Sequence, residues 1–512
     1  MKKLLLFCLP FATTMALAQK DENAAKYAAL ITPKALKEKL TILAGADMEG
    51  RETASPGQKK AAAWIEDQFR KSGLKPGNGD SYQQVYPVYF DAMSDQLLRV
   101  NGKTFAWDKD YNFTLQTMFK GMRTFNNFVF AGYGVVDSAS KTNDYAGLDV
   151  KGKVVIVLDG GTPAPPATPA GGRRGFANPN AGKMAAAQKN GAVGMLIVSS
   201  AFPRTTPTAV KSTRMVLQIT DPPIFIATIS DEVASALIGR TSKVSLADFI
   251  KVNKGNYFAE LQLGAARNPE MKESSNVIGI LPGTDKKDEY VFLTGHYDHL
   301  GKNGNTIYYG ADDDGSGSVG VIQMAEAFAA AAKKGIQPRR TMIFMTVSGE
   351  EKGLLGSEYY SEHPTIDLSK ASADLNTDMI GRGDSSRKGD TLNYVYVIGH
   401  DKLSSELAPI NESVNTIYNL NLGLDYKFDD PNDQNRIYFR SDHYNFARKG
   451  VPILFFYDGM LGADYHKPTD TVDKIQFDVM AKRAQLVFHT GWVIANRDNM
   501  LKRDTPLNMG AR

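Results

Sequence analysis

The chain has 512 residues, of which 42% are hydrophobic and 23% are charged. This composition is typical of a globular protein with at least one large buried core, and it argues against a disordered or fibrous chain. The formal net charge is only +4, from 60 basic and 56 acidic residues, so no strong field draws in nucleic acid or an anionic membrane.

The amino terminus has the features of a signal peptide. Two lysines precede an apolar run from Leu4 towards Leu17, and Ala16-Leu17-Ala18 supplies the small-x-small pattern that signal peptidase recognises. Pro10 interrupts the run, which is shorter than the roughly 20 residues needed to span a membrane. We expect residues 1–18 to be removed and the mature protein to be exported, to the periplasm or beyond, without an integral membrane segment.

The predicted cleavage has a consequence for metal binding. It removes Cys8, the single cysteine of the chain. Disulfides, thiolate catalysis and cysteine-bound metals are then excluded from the mature protein. Any metal ion must be bound by histidine, aspartate and glutamate.

Two helices are predicted before residue 73. Residues Pro33 to Leu43 place leucines at three- and four-residue intervals, which is typical of a helix with one buried face. Residues Pro56 to Ser72 form an alanine-rich segment with Ser55 as its N-cap and Gly73 as its end.

The pattern changes between residues 127 and 268. Short β-branched and aromatic runs, such as Val154 to Leu158, alternate with glycine-containing turns. This pattern predicts a separate β-rich module. Within it, Gly160 to Gly182 is dense in proline, glycine and alanine, which predicts a mobile surface loop.

From residue 276 onwards, strands and helices alternate. We predict strands at Asn276–Leu281, Tyr290–Thr294, Arg340–Val347, Asp374–Met379, Tyr394–Ile398 and Pro452–Phe456, and helices at Gly317–Lys334 and Phe477–Asn496. Such alternation indicates an α/β sheet covered by helices. In these sheets the side chains that carry out chemistry come from loops at the carboxyl ends of the strands.

Five of these strand or loop ends carry histidine or carboxylate side chains. The residues are His296 and Asp298, Asp312 to Asp314, Glu350 and Glu351, Asp378, and His466. Carboxylates brought together repel one another and lose hydration, so their convergence is costly unless a cation compensates. Oxygen and imidazole ligands suit zinc, with manganese or cobalt as alternatives, and two ions that share a carboxylate fit a hydrolytic site.

These motifs, in this order, resemble those of the M28 family of co-catalytic zinc aminopeptidases. The matching segments are His296-x-Asp298, Ala311 to Gly317, Glu350 to Ser357, Asp378-Met379 and His466, and earlier Gly50-Arg51 and Pro56-Gly57. The β-rich stretch is similar to the protease-associated (PA) domain found in some members, with Asp144-Tyr145 and Gly152-Lys153-Val154 near its usual opening.

The resemblance implies a discontinuous peptidase domain, residues 19–126 and 269–512, with a PA-like insert at 127–268. The implied fold is a three-layer α/β sandwich around a mixed β-sheet, of the phosphorylase/hydrolase-like kind seen in zinc exopeptidases. The substrate is expected to be a peptide or a protein.

The resemblance also implies a site with two zinc ions bridged by Asp313. Glu351 and His466 complete one metal site, and His296 and Asp378 complete the other. A cis peptide bond between Asp313 and Asp314 is a further expectation from the family.

Three more residues receive roles from the same resemblance. Asp298 is expected to orient the imidazole of His296. Glu350 is expected to act as the general base that deprotonates a water held between the metals. Tyr438 is assigned to stabilisation of the tetrahedral oxyanion.

The other histidines are predicted to be surface or hydrogen-bonded core residues. They are His299, His363, His400, His443 and His489. His299 and His443 lie close enough to the motifs to support the ligands.

The expected function is that of an exported zinc aminopeptidase, and two alternatives remain open. A glutaminyl cyclase would share the fold but typically uses one zinc ion. A receptor-like ectodomain would share the architecture but tends to lose the metal ligands. The complete set of ligands in this sequence favours the peptidase over both.

Overall fold

The computed structural model describes residues 20–161, 180–205, 213–462 and 464–507. The predicted signal peptide, residues 1–18, lies outside the described residues, as do residues 162–179 of the predicted glycine-rich loop. The described residues divide into two compact units: those up to residue 84 together with those from residue 275 onwards form the first, and those between 85 and 274 form the second.

The first unit contains most of the helices. They are Glu22–Ala28, Pro33–Leu43, Pro56–Ser72, Gly317–Ala332, Leu355–Glu362, Leu407–Ile417, His443–Arg448 and Phe477–Asn496. The helices at Pro33–Leu43 and Phe477–Asn496 have the predicted bounds. So does Pro56–Ser72, which begins where the Ser55 side chain accepts a hydrogen bond from the Gln58 amide and ends at Gly73 with φ of 85°.

The strands of the first unit form a mixed sheet. In spatial order the strands are Lys75–Pro76, Glu270–Leu281, Arg340–Val347, Lys286–His296, Ala371–Thr377, Ile453–Tyr457, Tyr394–Ile398 and Gly423–Asp425. The four strands from Arg340–Val347 to Ile453–Tyr457 run parallel to one another. A short hairpin, Lys302–Asn303 with Thr306–Ile307, lies apart from this sheet.

The two faces of this sheet are covered by different cores. On the strand Lys286–His296, Val291 and Leu293 belong to a core with the helices Pro56–Ser72 and Phe477–Asn496, whereas Phe292 belongs to a second core with Tyr360 and Phe446. Side chains alternate between the faces of a strand, so helices must cover both sides. The fold is therefore the predicted α/β three-layer sandwich around a mixed sheet.

The second unit is rich in strands. Its strands are Gln83–Val100, Lys103–Phe105, Tyr111–Asn112, Gly121–Phe130, Val136–Asp137, Thr142–Asn143, Val154–Leu158, Gly194–Val198, Thr213–Val216, Phe225–Ile229 and Gly255–Arg267, and its helices are Ala181–Lys189, Asp231–Leu237 and Leu246–Phe249. Two of the long strands, Gly121–Phe130 and Gln83–Val100, pair antiparallel with Gly255–Arg267. Both hydrophobic cores of this unit lie within residues 85–274.

This unit begins earlier than the predicted insert. The prediction placed the insert at 127–268, whereas the compact unit begins at Val85. The reason is the 18-residue strand Gln83–Val100, whose partner strand, Gly255–Arg267, lies at the far end of the unit. That pairing joins segments more than 150 residues apart, so local sequence patterns do not reveal it.

Within the described part of the chain, none of the helices combines the length and the apolar character that a membrane crossing requires.

Candidate metal centre

The predicted ligands meet at the carboxyl ends of the parallel strands. His296 is the last residue of its strand, and Asp378 directly follows Ala371–Thr377. Glu350 and Glu351 follow Arg340–Val347 after a two-residue turn. The side chains that these loops carry can therefore converge, as the sheet topology requires.

The first group of ligand atoms surrounds the imidazole of His296. Its Nε2 lies 3.3 Å from Oδ1 of Asp313 and 3.5 Å from Oδ1 of Asp378. His296 is 1% exposed, and the three residues offer atoms close enough together to bind one metal ion.

The second group uses the other oxygen of Asp313. Nε2 of His466 lies 3.0 Å from Oδ2 of Asp313 and 3.1 Å from Oε2 of Glu351. Asp313 thus offers one carboxylate oxygen to each group. All five residues predicted as ligands are brought together in the predicted pairing.

The buried atoms of these groups are those that a metal would satisfy. His296 Nε2, Asp313 Oδ2 and Glu351 Oε1 are buried, and within the described ranges their contacts with neighbouring side chains lack hydrogen-bond geometry, although Asp313 Oδ2 and Glu351 Oε1 lie within 3.0 Å of a histidine nitrogen. Although burial favours the neutral carboxyl, His296 and His466 hold the pKa of Asp313 well below its usual range. A buried ionised carboxylate between imidazole nitrogens is the donor set that zinc prefers, so the residues fit the ion.

The hydrogen bonding of His296 fixes its tautomer. Nδ1 lies 3.1 Å from the backbone carbonyl oxygen of Asp298. A carbonyl oxygen can only accept, so Nδ1 carries a proton, and Nε2 is the nitrogen that would bind a metal ion once its own proton is released. Asp298 therefore orients the imidazole through its backbone, while its carboxylate lies 3.7 Å from Nδ1.

The carboxylate of Asp298 holds a different part of the site. Oδ2 accepts a hydrogen bond of 2.7 Å from the Thr53 hydroxyl, and Oδ1 accepts one of 3.2 Å from the backbone amide of Glu350. Asp298 thus connects the His296 loop to the loop of the predicted general base. This contact positions Glu350 at the backbone level.

Glu350 itself faces a mixed electrostatic environment. Its side chain is 13% exposed and its Oε2 lies 3.9 Å from Nε2 of His296. Burial raises the pKa of Glu350 well above its usual range. The negative charges of Glu351 and Asp378 raise this pKa further, whereas His296 lowers it. A carboxyl with a raised pKa is a stronger base than an exposed glutamate, which suits proton transfer.

The two aspartates beside Asp313 hold the loop in place. Asp314 accepts hydrogen bonds from the backbone amides of His296, Gly317 and Met379, at 3.1, 2.8 and 2.9 Å. Asp312 accepts one from the amide of Gly381 at 2.8 Å. The three consecutive aspartates therefore have different roles, and the peptide bond between Asp313 and Asp314 is cis, as expected.

Two further residues support this loop: Asp470, which the sequence did not single out, and Gly317, the last residue of the Ala311 to Gly317 motif. The carboxylate of Asp470 accepts hydrogen bonds from the backbone amides of Asp312 and Asp313, both within 3.2 Å. Gly317 packs so closely that a Cβ there would lie 2.3 Å from the carbonyl oxygen of Thr377. The motif therefore accounts for Gly317, whereas Asp470 has no local signal beyond its nearness to His466.

Arg51, from the predicted Gly50-Arg51 motif, supports the loop that carries Asp313 through hydrogen bonds. It is fully buried and donates hydrogen bonds to the carbonyl oxygens of Leu43, Tyr297, Tyr309 and Gly310, at 2.6 to 2.9 Å. The last two carbonyls belong to the segment that leads into Asp313. The motif therefore has a structural reason in this chain.

His299 lies closer to the centre than the prediction required. It is fully buried, and its Nδ1 lies 2.9 Å from Oε1 of Glu351. Because Oε2 of Glu351 faces His466, the two histidines hold opposite oxygens of one carboxylate. Despite burial, they lower the pKa of Glu351 to about 2.

A cleft lies beside Asp313, Glu350 and Asp378, and Tyr438, predicted to stabilise the oxyanion, does not line it. Its ring lies under the Lys402 ammonium at 5.6 Å, and burial together with Asp429 and Asp401 raises its pKa. The backbone there forms a short 3₁₀ turn, Ile437–Phe439, which directs neighbouring side chains in different directions. Ile437 lines the cleft, whereas Tyr438 is buried and is not among the residues that line it.

The cleft wall opposite the ligands was not predicted. Beside Asp313, Glu350 and Asp378, it is lined by Ile437, Arg440, Phe455, Tyr457, Leu461 and Tyr465. The position of Tyr465 directly before the ligand His466 was an available signal, as was that of Arg440 directly before Ser441-Asp442-His443.

Comparisons with known families match both parts of the chain. Residues 276–491 match the profile described as peptidase family M28, and residues 128–237 match that of the PA domain.

Named relatives show the same similarity at moderate identity. The chain is 28% identical over 258 residues to a probable leucine aminopeptidase of Arthroderma otae. The aligned region covers 49% of this chain and 67% of the relative. For a probable leucine aminopeptidase of Trichophyton verrucosum the identity is 29% over 225 residues, or 43% of this chain and 57% of the relative. The matches thus span about three fifths of these curated relatives.

A solved structure shows the same fold. The aminopeptidase from Aneurinibacillus sp. strain AM-1 aligns over 94% of this chain and 99% of its own, with a TM-score of 0.54 and 19% identity.

Proposed function

Because the chain is a peptidase of family M28 that carries a PA domain, we propose that it is an exported zinc aminopeptidase with two metal ions. The observation that carries the proposal is the carboxylate of Asp313, which offers one oxygen to His296 and the other to His466. A carboxylate shared in this way is the arrangement expected of a two-metal hydrolytic site.

The residues divide into two sets of metal ligands and one base. His296 and Asp378 would hold one ion with Asp313, and Glu351 and His466 would hold the other. When bound, the two ions would polarise the scissile carbonyl and lower the pKa of the attacking water. Glu350 accepts the proton of that water and delivers it to the departing amine.

The preference for a free amino terminus rests on the relatives. Two of them are named as probable leucine aminopeptidases, and the solved structure with the same fold is named as an aminopeptidase. Export rests on the amino-terminal sequence, in which two lysines precede an apolar run and Ala16-Leu17-Ala18.

The test combines a substrate screen with metal analysis of the same sample. Fluorogenic aminoacyl substrates should be cleaved and their N-acetylated twins should not. Mass spectrometry should find two zinc ions per chain, and a chelator should abolish cleavage until zinc is restored. Equal cleavage of the acetylated twins would exclude an aminopeptidase. One ion at saturation, with cyclisation of amino-terminal glutamine, would instead identify a glutaminyl cyclase.

A further inference from the structure

Arg440 differs from the fully buried arginines of the first unit in its hydrogen bonding. Arg51 and Arg483 each donate to four backbone carbonyl oxygens. Arg440 is half-buried, and its one side-chain hydrogen bond among the described residues runs from Nη2 to the hydroxyl of Tyr465, at 3.2 Å. A guanidinium carries five N–H donors, so most of those on Arg440 are available to another group.

The guanidinium lies in the wall of the cleft that contains the metal ligands. Arg440 lines this cleft together with Asp313, Glu350 and Asp378. Tyr465, which accepts its hydrogen bond, stacks on the ring of His466 with centroids 3.9 Å apart. Arg440 is thus anchored one side chain away from a metal ligand.

Charge makes this position distinctive. Within the described ranges, Arg440 is the one arginine or lysine among the residues that line the cleft, and the others are carboxylates, apolar side chains and phenols. A guanidinium keeps its positive charge in proteins, and here the phenols of Tyr465 and Tyr457 and the carboxylate of Glu350 raise its pKa against the effect of burial. Among the side chains that line the cleft, Arg440 is the one that would attract an anionic group, whereas the carboxylates of Glu350 and Asp378 would repel it.

We infer that Arg440 is a specificity-determining residue that binds a carboxylate of the peptide substrate. The planar fork of a guanidinium matches the two oxygens of a carboxylate and can donate to both. In a peptide this carboxylate is either an acidic side chain or the α-carboxylate of a short peptide. The inference rests on the proposed peptidase function and adds a substrate class to it.

The experiment compares acids with their amide twins on the full-length zinc-loaded enzyme. Leucyl-glycine against leucyl-glycinamide tests the α-carboxylate, and glutamyl- against glutaminyl-p-nitroanilide tests the side chain. In at least one pair, Arg440→Gln should lower the ratio of kcat/KM for the acid to kcat/KM for the amide by about tenfold or more. The change should come mainly from a higher KM for the acid. Arg440→Lys should keep part of the preference. Arg436→Gln, an exposed arginine in the same segment, serves as the matched control.

Other results would overturn the inference. An unchanged ratio in both pairs with kcat lowered for all four substrates would make Arg440 an oxyanion-stabilising residue instead. Unchanged kinetics throughout would exclude any substrate contact. Zinc content and unfolding temperature, measured on each variant, separate these results from misfolding.

If the wild-type enzyme cleaves none of the four substrates, the aminopeptidase proposal fails. Titration calorimetry with the same acid and amide then still decides whether Arg440 binds a carboxylate.

Discussion

Glu350 and Glu351 are neighbours in the chain but have different surroundings. Glu351 has each carboxylate oxygen within 3.1 Å of a histidine nitrogen. Glu350 is held at its backbone amide by Asp298, and its side chain lines the cleft. One side chain is therefore placed to bind a metal, and the other to reach a water or a substrate.

We predict that Glu350→Gln retains both metal ions and nearly normal stability, because the amide keeps the shape of the side chain. It should lose turnover by a factor on the order of 10² to 10⁴, since an amide cannot accept the proton of the water. Measured kcat and zinc content of the variant check this prediction. A Glu350→Gln enzyme with both ions and full activity would leave the proton acceptor unidentified.

Glu351→Gln is the matched control for this experiment. The substitution is chemically the same and lies one residue away, but it should release zinc from the site that Glu351 shares with His466. If instead both variants keep two ions and differ only in kcat, Glu351 does not bind a metal.

The sequence pointed to the candidate ligands because His296, Glu351 and Asp378 each come shortly after a strand signal, and because all five belong to a recognisable motif. It did not predict the cleft wall. Tyr438 lies in the short turn Ile437–Phe439 and Arg440 directly follows it, and which of them faces the cleft depends on backbone dihedral angles that residue types do not specify. The environment of His299 likewise depends on where the Glu351 loop lies, which is a matter of tertiary packing.

At the scale of elements, helix positions followed from the sequence more closely than the pairing of distant strands. The helix Phe477–Asn496 was predicted from end to end, because its apolar residues recur at helical spacing and face a core. The strand Gln83–Val100 was not, because its burial is irregular and its partner is remote in sequence.

The helix Phe477–Asn496 also carries a titratable group in its buried face. His489 is 3% exposed and stacks on the ring of Tyr418, with centroids 3.5 Å apart. Burial lowers its pKa from 6.5 to about 3. Between these values the unfolded chain binds a proton that the folded protein does not, so the folded state loses stability as pH falls through this window.

We predict that His489→Phe, which keeps the aromatic stacking, reduces this loss. The slope of the unfolding free energy against pH should fall by up to about 1.4 kcal/mol per pH unit between pH 6.5 and 3, the effect of one proton. Urea unfolding at several pH values measures it. His443, with its pKa also lowered to about 3 by burial, should continue to contribute in the variant. The exposed His363→Gln is the control, and an equal change in slope there would contradict the assignment to His489.

At the scale of the whole molecule, the candidate metal ligands all belong to one of the two units. Each hydrophobic core contains residues of one unit only. Two cores lie within residues 85–274, and the other two belong to the first unit. The groups of side chains that could hold a metal, as far as the structure describes the chain, all lie after residue 295. Zinc should therefore stabilise one unit directly and not the other.

We predict that zinc raises the unfolding temperature of the first unit alone. A ligand present at 1,000 times its dissociation constant stabilises by about 4 kcal/mol, which corresponds to a shift of roughly 6 °C for a unit of this size. Tryptophan fluorescence can assign the transitions, because Trp64 and Trp492 lie in the first unit and Trp107 in the second. Trp107→Phe leaves reporters only in the first unit, and the double substitution of Trp64 and Trp492 by Phe leaves only Trp107. The first variant should show a large shift between zinc and chelator and the second almost none. If the Trp107 transition moves as far as the other, the second unit either binds metal itself or unfolds together with the first.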